Sequence, residues 1–293
     1  MTPANKGFFP AAAAFAIWGV YPLYFTLLHH VSAVQVIAHR VVWSCLFVLA
    51  WIAIRGDLRT VRASLVDIGV LWRLAVSAAL ISFNWLVYVW AVMNGHVVET
   101  SLGYFIGPLV NVTLGVILLS ERLSVAQWTA VALAAAGVLY LAVMSGEVPW
   151  IALVLAFSFA TYGLLRKVVR VEALPGLATE TLVLVPFAAL YLAWCQLAGY
   201  GALGHTGPAI DALLIGSGPL TAITLFLFAY GTRLLPYATV GLLQYIAPSL
   251  QFVCGVFILH EPFTRSRALG FTIIWAALCI YAADGLRLSR RSG

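Results

Sequence analysis

Charge is scarce in this sequence: only 9% of its 293 residues are charged, whereas 63% are hydrophobic. A typical soluble domain carries about 25% charged residues. A soluble core could not hide this much apolar surface, so the composition excludes a water-soluble globular protein. A membrane-spanning helix needs about 20 apolar residues, and several such runs follow one another here with short polar gaps. The sequence therefore predicts an all-α, polytopic membrane protein.

Motifs that would mark an enzyme or a metal protein are also missing. The sequence has no H-E-x-x-H, no G-x-S-x-G and no pair of carboxylates in the middle of an apolar run. The four cysteines lie within apolar runs at spacings that do not suit metal ligation. We therefore predict no catalytic residue, no cofactor and no metal, although a membrane-embedded enzyme or a sensor stays open as an alternative of another class.

The apolar runs give ten candidate membrane spans. They cover residues 8–28, 34–54, 71–93, 98–120, 125–144, 149–167, 177–197, 209–231, 236–259 and 265–285. Short polar breaks with turn and cap residues separate them. Ser124 followed by Gln127, for example, predicts a capping box at the start of the fifth span.

Basic residues lie mainly on alternate connections between these spans. Of the 16 Lys and Arg residues, thirteen lie in the two terminal segments and in every second loop. The opposite set of loops contains only Arg265 and Arg267, and Arg40 lies inside a span. This asymmetry predicts that both termini are cytoplasmic. It also explains the net charge of +6 without a nucleic-acid partner.

Two stretches of the chain repeat each other at an offset of 140 residues. IGPLVNVTLGVILLSER at 106–122 returns as IAPSLQFVCGVFILHEP at 246–262, and the offset aligns all five pairs of spans. We divide the chain into a first half at 1–144 and a second half at 145–293, each with five spans. Because five is odd, the second half must cross the membrane in the opposite direction, which predicts an inverted repeat typical of secondary transporters.

The repeat places a proline near the middle of spans four and nine, at Pro108 and Pro248. A proline removes one backbone donor and disrupts the carbonyl four residues earlier. In lipid that carbonyl must face protein or a wet cavity, so we expect broken helices that mark a binding site and assist gating. The alternative is a simple packing kink.

Polar and aromatic side chains cluster near the predicted middle of several spans, where they are costly unless partnered. They predict a cavity for a small organic solute, and the alternative is interhelical hydrogen bonding. The predicted substrate-binding residues are Trp18, Tyr21, Asn84, Tyr88, Tyr104, Asn111, Tyr162, Gln244, Tyr245 and Gln251.

Three ionisable residues lie well inside predicted spans: His39, Arg40 and Glu180. Arg40 and Glu180 are equivalent in the repeat, and the inversion places them nearer opposite membrane surfaces, which argues against a direct ion pair. We predict a gating or coupling role for all three. The alternatives are snorkelling or bonds to freed carbonyls for the charged pair, and a structural role for His39.

Several of these residues carry a resemblance to a known family. The chain resembles the EamA type of the drug/metabolite transporter superfamily, and within it the RarD-like and YddG-type exporters. The resemblance covers the whole chain, with one departure at Ala130, where the family often has Gly. It rests on Ile17-Trp18-Gly19, His39-Arg40, Asn84-Trp85, the run SLGYFIGPLVN at 101–111, and the ERLS segment at 121–124 with Gln127.

The resemblance implies export of small metabolites, amino acids or drugs across the bacterial inner membrane. We therefore predict a multi-pass secondary transporter of the inner membrane that works as a monomer and exports amino acids, aromatic and other neutral ones, by alternating access. The alternative within this class is a multidrug permease for chloramphenicol-like or cationic compounds. The sequence leaves open whether a proton gradient drives transport.

Overall fold

The computed structural model describes residues 3–55, 58–119, 124–169, 171–235 and 243–291. This part of the chain is helical and contains no β-strand. Its helices are α1 (Pro3–Thr26), α2 (Ala33–Arg55), α3 (Leu58–Val66), α4 (Ile68–Met93), α5 (Val97–Leu119), α6 (Val125–Ser145), α7 (Trp150–Val168), α8 (Ala173–Leu197), α9 (Pro208–Arg233), α10 (Ile246–Val253) and α11 (Arg265–Arg291).

The long apolar helices confirm a multi-pass membrane protein. Within the described ranges, seven helices are long and apolar enough to cross a membrane. They belong to α1, α2, α4, α6, α8, α9 and α11. Three shorter apolar helical stretches, at Val97–Val110, Trp150–Arg166 and Ile246–Ile258, lie in the remaining predicted spans. Each predicted span therefore contains an apolar helical stretch.

Helix α3 was not predicted, because it lies in the short connection between the second and third spans. Its charged side chains face outward, and Val61 and Ser64 are buried where it packs on α4 and α8. Asp67 then caps α4 by accepting hydrogen bonds from the N–H groups of Gly69 at 2.8 Å and Val70 at 3.1 Å. Helix α3 is too short and too polar to be detected from the hydropathy of the sequence.

The predicted capping box at the start of α6 is confirmed. Gln127 N–H donates to Ser124 Oγ at 3.1 Å, and Ser124 N–H donates to Gln127 Oε1 at 3.0 Å. Ser124 Oγ also donates to Asp284 Oδ2 at 2.7 Å. The capping residue therefore fixes the start of α6 and joins it to α11.

Close helix crossings depend on particular glycines. A Cβ at Gly103 would lie 2.8 Å from the carbonyl oxygen of Ala152 in α7, whereas a Cβ at Gly107 would meet nothing within 4 Å. The G-x-x-x-G pattern in α5 therefore serves internal packing through its first glycine alone. At Gly218 in α9, a Cβ would lie 2.3 Å from the backbone of Trp43 in α2.

The breaks predicted at the two prolines have different outcomes. Helix α5 runs through Pro108 without interruption, because one missing N–H does not outweigh the intact turns on either side. Pro248 lies in the first turn of α10, where a backbone N–H has no intrahelical acceptor in any case. The expected mid-helix break is therefore not found at Pro108, whereas a turn at 244–245 interrupts the predicted ninth span just before Pro248. The irregular segment is a π-helical turn at Cys254–Ile258, a feature often found at functional sites.

Candidate functional site

Arg40 lies buried in α2 among aromatic rings, and only 3% of its surface is exposed. Its guanidinium carbon is 4.0 Å from the ring centroid of Trp85, 5.7 Å from that of Phe25 and 5.8 Å from that of Tyr21. An aromatic face attracts a cation electrostatically, and the attraction is stronger when both are desolvated. These rings therefore form an aromatic box around the positive charge.

One hydroxyl group holds the guanidinium in place. Arg40 Nε donates to Thr221 Oγ1 at 2.9 Å, and Thr221 Oγ1 donates its own proton to the carbonyl of Ser217 at 2.8 Å. Within the described residues, no carboxylate lies within 4.0 Å of the guanidinium. Burying an ion costs several kcal/mol unless a partner offsets it, so neutral groups alone stabilise this charge.

Three tyrosines surround the arginine, and their hydroxyl groups are satisfied to different extents. Tyr21 shares a hydrogen bond with Thr224 at 3.2 Å, and Tyr104 donates to Asn84 Oδ1 at 3.5 Å. The ring of Tyr88 lies 5.8 Å from that of Tyr104. Its hydroxyl is buried and has no hydrogen-bond partner in the described part of the chain. An unpaired buried hydroxyl costs about 1–3 kcal/mol, so this group requires an explanation.

These residues come together from five helices: α1, α2, α4, α5 and α9. We call them the Arg40 cluster, defined as Tyr21, Phe25, Arg40, Asn84, Trp85, Tyr88, Tyr104, Thr221 and Thr224. The structure thus brings together Tyr21, Arg40, Asn84, Tyr88 and Tyr104 of the predicted site residues in spans one to four, and it leaves out Trp18, His39 and Pro108.

Asn84 lies at the edge of this cluster and joins two helices. Its Nδ2 donates to the carbonyl of Leu155 at 3.1 Å and to Ser158 Oγ at 2.8 Å, both in α7. The side chain is fully buried. Asn84 therefore makes the interhelical hydrogen bonds that were the alternative to solute contact.

A second buried polar group surrounds Glu180 in α8. Ser77 Oγ donates to Glu180 Oε1 at 2.7 Å, the Arg166 guanidinium lies 3.7 Å from the same oxygen, and the Tyr162 hydroxyl lies beside the carboxylate. We call Ser77, Tyr162, Arg166 and Glu180 the Glu180 cluster. Unlike Arg40, the buried carboxylate has a partner of opposite charge in the chain itself.

Gly176 makes room for this ion pair. A Cβ at that position would lie 2.1 Å from a terminal nitrogen of Arg166, so any side chain would displace the guanidinium. Arg166 also donates to the carbonyl of Glu172 at 3.3 Å. The guanidinium is thus held across the start of α8, where it faces Glu180.

The remaining predicted site residues lie elsewhere. Gln251 Nε2 donates to the carbonyl of Trp18 at 3.2 Å, which joins α10 to α1. Tyr245, with its half-buried neighbour Gln244, lies beside an apolar hollow of about 450 Å³ between α5, α10 and α11. The side chain of Asn111 lies outside the described residues.

His39 is buried beside Arg40 in sequence. Asp211, in the first turn of α9, is close enough to act on its charge. Asp211 itself accepts a hydrogen bond from the N–H of Gly204 at 2.8 Å. His39 therefore belongs to the contact between α2 and the start of α9, apart from both clusters.

The glutamate that closes the second repeat is a helix cap. Glu261 accepts hydrogen bonds from the backbone N–H groups of Val97 and Val98 at the start of α5. A carboxylate at this end of a helix is stabilised by the helix dipole. Burial raises the pKa of Glu261, and the two N–H donors act in the opposite direction. The residue is thus part of the scaffold that positions α5.

The predicted site residues omit six members of the two clusters: Phe25, Ser77, Trp85, Arg166, Thr221 and Thr224. Two signals could have found some of them. Ser217, Thr221 and Thr224 recur at helical spacing in an apolar run, which places their hydroxyl groups on one face of α9. Arg166 follows Tyr162 by four residues and therefore shares its helix face, although it was counted as a topology determinant.

Comparison with known proteins points to a transporter family. Residues 5–143 match the EamA-like transporter family. Protein RarD of Streptomyces exfoliatus is 45% identical over 282 residues, which cover 95% of this chain and 89% of the relative. An uncharacterized transporter of Pseudomonas aeruginosa is 44% identical over 300 residues, covering 99% of this chain and 98% of its own.

A further relative and a solved structure extend this comparison. The chloramphenicol-sensitive protein RarD of Pseudomonas aeruginosa is 33% identical over 295 residues, with 99% of this chain and 98% of the relative covered. The crystal structure of a protein that is 18% identical in sequence superposes on this chain with a TM-score of 0.63. The superposition covers 97% of this chain and 99% of the other. At this identity the superposition supports the fold alone.

Proposed function

The chain belongs to the EamA-like transporter family, and from this premise we propose that it exports amino acids by alternating access between two inverted halves. The matching family and two of the relatives are named as transporters. The apolar helices make the chain a multi-pass membrane protein. It is therefore a membrane transporter. The substrate, the mechanism and a bacterial inner-membrane location are our proposals.

The packing of the helices supports two related halves. At an offset of 140 residues, α1, α2, α4, α5 and α6 correspond to α7, α8, α9, α10 and α11. Helix α1 packs on α9 and α10, just as α7 packs on α4 and α5. Helix α2 packs on α9, just as α8 packs on α4, and the pairs α2–α8, α5–α10 and α6–α11 map onto themselves. Exchange of the halves thus maps these larger helix contacts onto one another.

The two clusters are related by the same exchange, and this observation carries the proposal. Arg40 contacts α1 through Tyr21 and α9 through Thr221. Glu180, its repeat equivalent, contacts α7 through Tyr162 and α4 through Ser77. Each cluster therefore lies where helices of the two halves meet. In a transporter with inverted repeats, such a junction holds the solute site and the gates.

We assign the Arg40 cluster to the solute and the Glu180 cluster to a gate. Opening the second cluster requires α7 and α8 to separate, which breaks the contact between Arg166 and Glu180. Pro108, Pro248 and the π-helical turn would allow α5 and α10 to bend. His39 and Glu180 are the groups that we propose for proton coupling. The other proposed solute contacts are Trp18, Asn111, Tyr162, Gln244, Tyr245 and Gln251.

Proteoliposomes test the substrate class. We expect the purified full-length protein to exchange radiolabelled L-phenylalanine and L-leucine across the membrane in a saturable manner. Absence of flux for every amino acid and amine would overturn the proposed substrate class. The name of one relative mentions chloramphenicol, so flux of chloramphenicol or of organic cations in the same panel would favour the second candidate, a multidrug permease.

Coupling and inversion have separate tests. If transport is coupled to protons, a pH gradient should drive accumulation in the wild type and not in Glu180→Gln; equal flux in both indicates facilitated export. Single cysteines at the exposed, repeat-equivalent positions 125 and 265, in a background without the four native cysteines, should react with a membrane-impermeant reagent from opposite faces. Labelling of both from one face would contradict inverted halves.

A further inference from the structure

The two clusters differ in how they handle buried charge. In the Glu180 cluster, Arg166 lies 3.7 Å from the carboxylate, and Ser77 hydrogen-bonds to it. In the Arg40 cluster, the only hydrogen bond of the guanidinium within the described residues comes from Nε. An arginine side chain has five N–H donors. The terminal nitrogens of Arg40 therefore have donors to spare, and no carboxylate of the described ranges lies within 4.0 Å of them.

A second group in the same cluster is also unsatisfied. The hydroxyl of Tyr88 is buried without a hydrogen-bond partner in the described part of the chain, and its ring packs against Phe25, whose own ring lies 5.7 Å from the guanidinium carbon of Arg40. The ring of Tyr88 is 3% exposed and is fixed in place by edge contacts with Phe25 at 6.2 Å and Tyr104 at 5.8 Å. One cationic donor and one neutral donor therefore lie near each other, and both lack an acceptor.

We propose that the guanidinium of Arg40 and the hydroxyl of Tyr88 together bind the carboxylate of the transported solute. This inference rests on the proposed transport function and names the part of the solute that is recognised. Arginine binds a carboxylate through two parallel N–H donors, which gives both strength and direction. The rings of Trp85, Tyr21 and Phe25 lie around the charge at 4.0–5.8 Å.

The net charge of the Arg40 cluster indicates which class of ligand it can bind. Arg40 is the only basic residue of the Arg40 cluster, so one negative charge neutralises it. A cationic solute would be repelled by the guanidinium. A phosphate dianion would need a second positive group, which the cluster does not contain. A monocarboxylate is therefore the anion that matches the site.

A thermal-shift assay tests this subsite without knowledge of the physiological solute. Purified full-length protein in detergent is heated with phenylacetate, phenylacetamide or phenethylamine. These probes share an apolar ring and differ in the charge of the polar end. We expect phenylacetate to raise the unfolding temperature of the wild type and the other two to leave it unchanged.

Three variants locate the effect. Arg40→Gln should abolish the stabilisation by phenylacetate. Tyr88→Phe should weaken the apparent affinity by about tenfold, which corresponds to the loss of one hydrogen bond to a charged group. Arg73→Gln removes an exposed arginine of α4 and should leave the response unchanged. If Arg40→Gln fails to fold, the comparison of probes and the Tyr88→Phe variant still decide.

Three outcomes would overturn the subsite. They are equal stabilisation by phenylacetate and phenylacetamide, stabilisation by phenethylamine alone, and an unchanged response in Arg40→Gln. Flux measurements separate this proposal from the proposed function. If carboxylates bind but no amino acid is transported, the subsite stands and the substrate class fails. If L-phenylalanine and its amide are transported equally well, and Arg40→Gln slows both equally, transport stands and the subsite fails.

Discussion

The Arg40 cluster and the Glu180 cluster occupy equivalent positions in the two halves of the chain, yet only one of them is electrically balanced. Glu180 has Arg166, Ser77 and Tyr162 around its carboxylate. Arg40 has aromatic rings and a threonine hydroxyl. A charge with an internal partner contributes to holding helices together, whereas a charge without one is available to a solute. This difference is the reason to assign solute binding to the Arg40 cluster and gating to the Glu180 cluster.

The largest effect on stability is expected at Glu180. Removal of one partner from a buried ion pair costs about 3–5 kcal/mol, because it leaves the other charge without compensation. Arg166 is 16% exposed and can partly reach solvent, so we expect Glu180→Ala to fall at the lower end of this range. Chemical denaturation in detergent measures it, with Arg59→Ala at an exposed arginine of α3 as the control. A loss below that of the control would show that the ion pair is not structural.

A somewhat smaller loss is expected for Gly176→Ala. The new methyl group would lie 2.1 Å from Arg166 and would force the guanidinium away from Glu180. The end of the arginine side chain can move aside, so the cost is that of the weakened ion pair, about 1 kcal/mol, and not that of an overpacked core. Gly107→Ala is the matched control, because a Cβ there meets nothing within 4 Å. The same denaturation assay should separate the two, and equal stability of both variants would contradict the described position of Arg166.

Arg40→Met should leave the stability of the protein unchanged or raise it, whereas Glu180→Ala should lower it. Replacing a buried charge by an apolar side chain is often neutral or stabilising, and Arg40 has no carboxylate partner to leave behind. We therefore expect a stability within about 1 kcal/mol of the wild type or above it, together with a loss of carboxylate binding. A severe loss of stability would mean that Arg40 is structural, like Glu180, and the contrast between the clusters would disappear.

The smallest effect is expected for Tyr88→Phe. The substitution removes a buried hydroxyl that has no partner in the described structure, so the free energy of unfolding should stay unchanged or rise by up to about 1 kcal/mol. Ser158→Ala is the comparison, because it removes a hydroxyl that accepts from Asn84 at 2.8 Å, and it should lower stability. A lower stability for Tyr88→Phe would indicate a partner that holds the hydroxyl in the empty protein.

The helical, multi-pass architecture could be predicted from sequence because hydropathy reports directly on the lipid environment. The capping box at Ser124 was also predictable, since it depends on residues three positions apart. The consequences of Pro108 and Pro248 were not, because the continuity of a helix depends on neighbouring turns and on where the helix begins. Helix α3 produced no signal, since nine residues cannot form an apolar run of membrane length.

The sequence identified many residues of the candidate site, but it did not show which of them lie together. Tyr21, Tyr88, Tyr104 and Arg40 were identified as polar groups inside apolar runs, and the structure places them together. Arg166 was assigned to a loop because positive charge near the end of a span usually marks topology. Its contact with Glu180 depends on the packing of both α7 and α8 on α4 and on the space at Gly176, neither of which sequence periodicity records.

The most direct test gives Arg40 a carboxylate of its own. Thr221 Oγ1 already lies 2.9 Å from Arg40 Nε, so Thr221→Asp places an acid next to the guanidinium, and Thr221→Asn is the uncharged control. The account predicts that Thr221→Asp is at least as stable as Thr221→Asn and that it alone no longer transports L-phenylalanine in proteoliposomes. Undiminished transport by Thr221→Asp would contradict a solute site at Arg40.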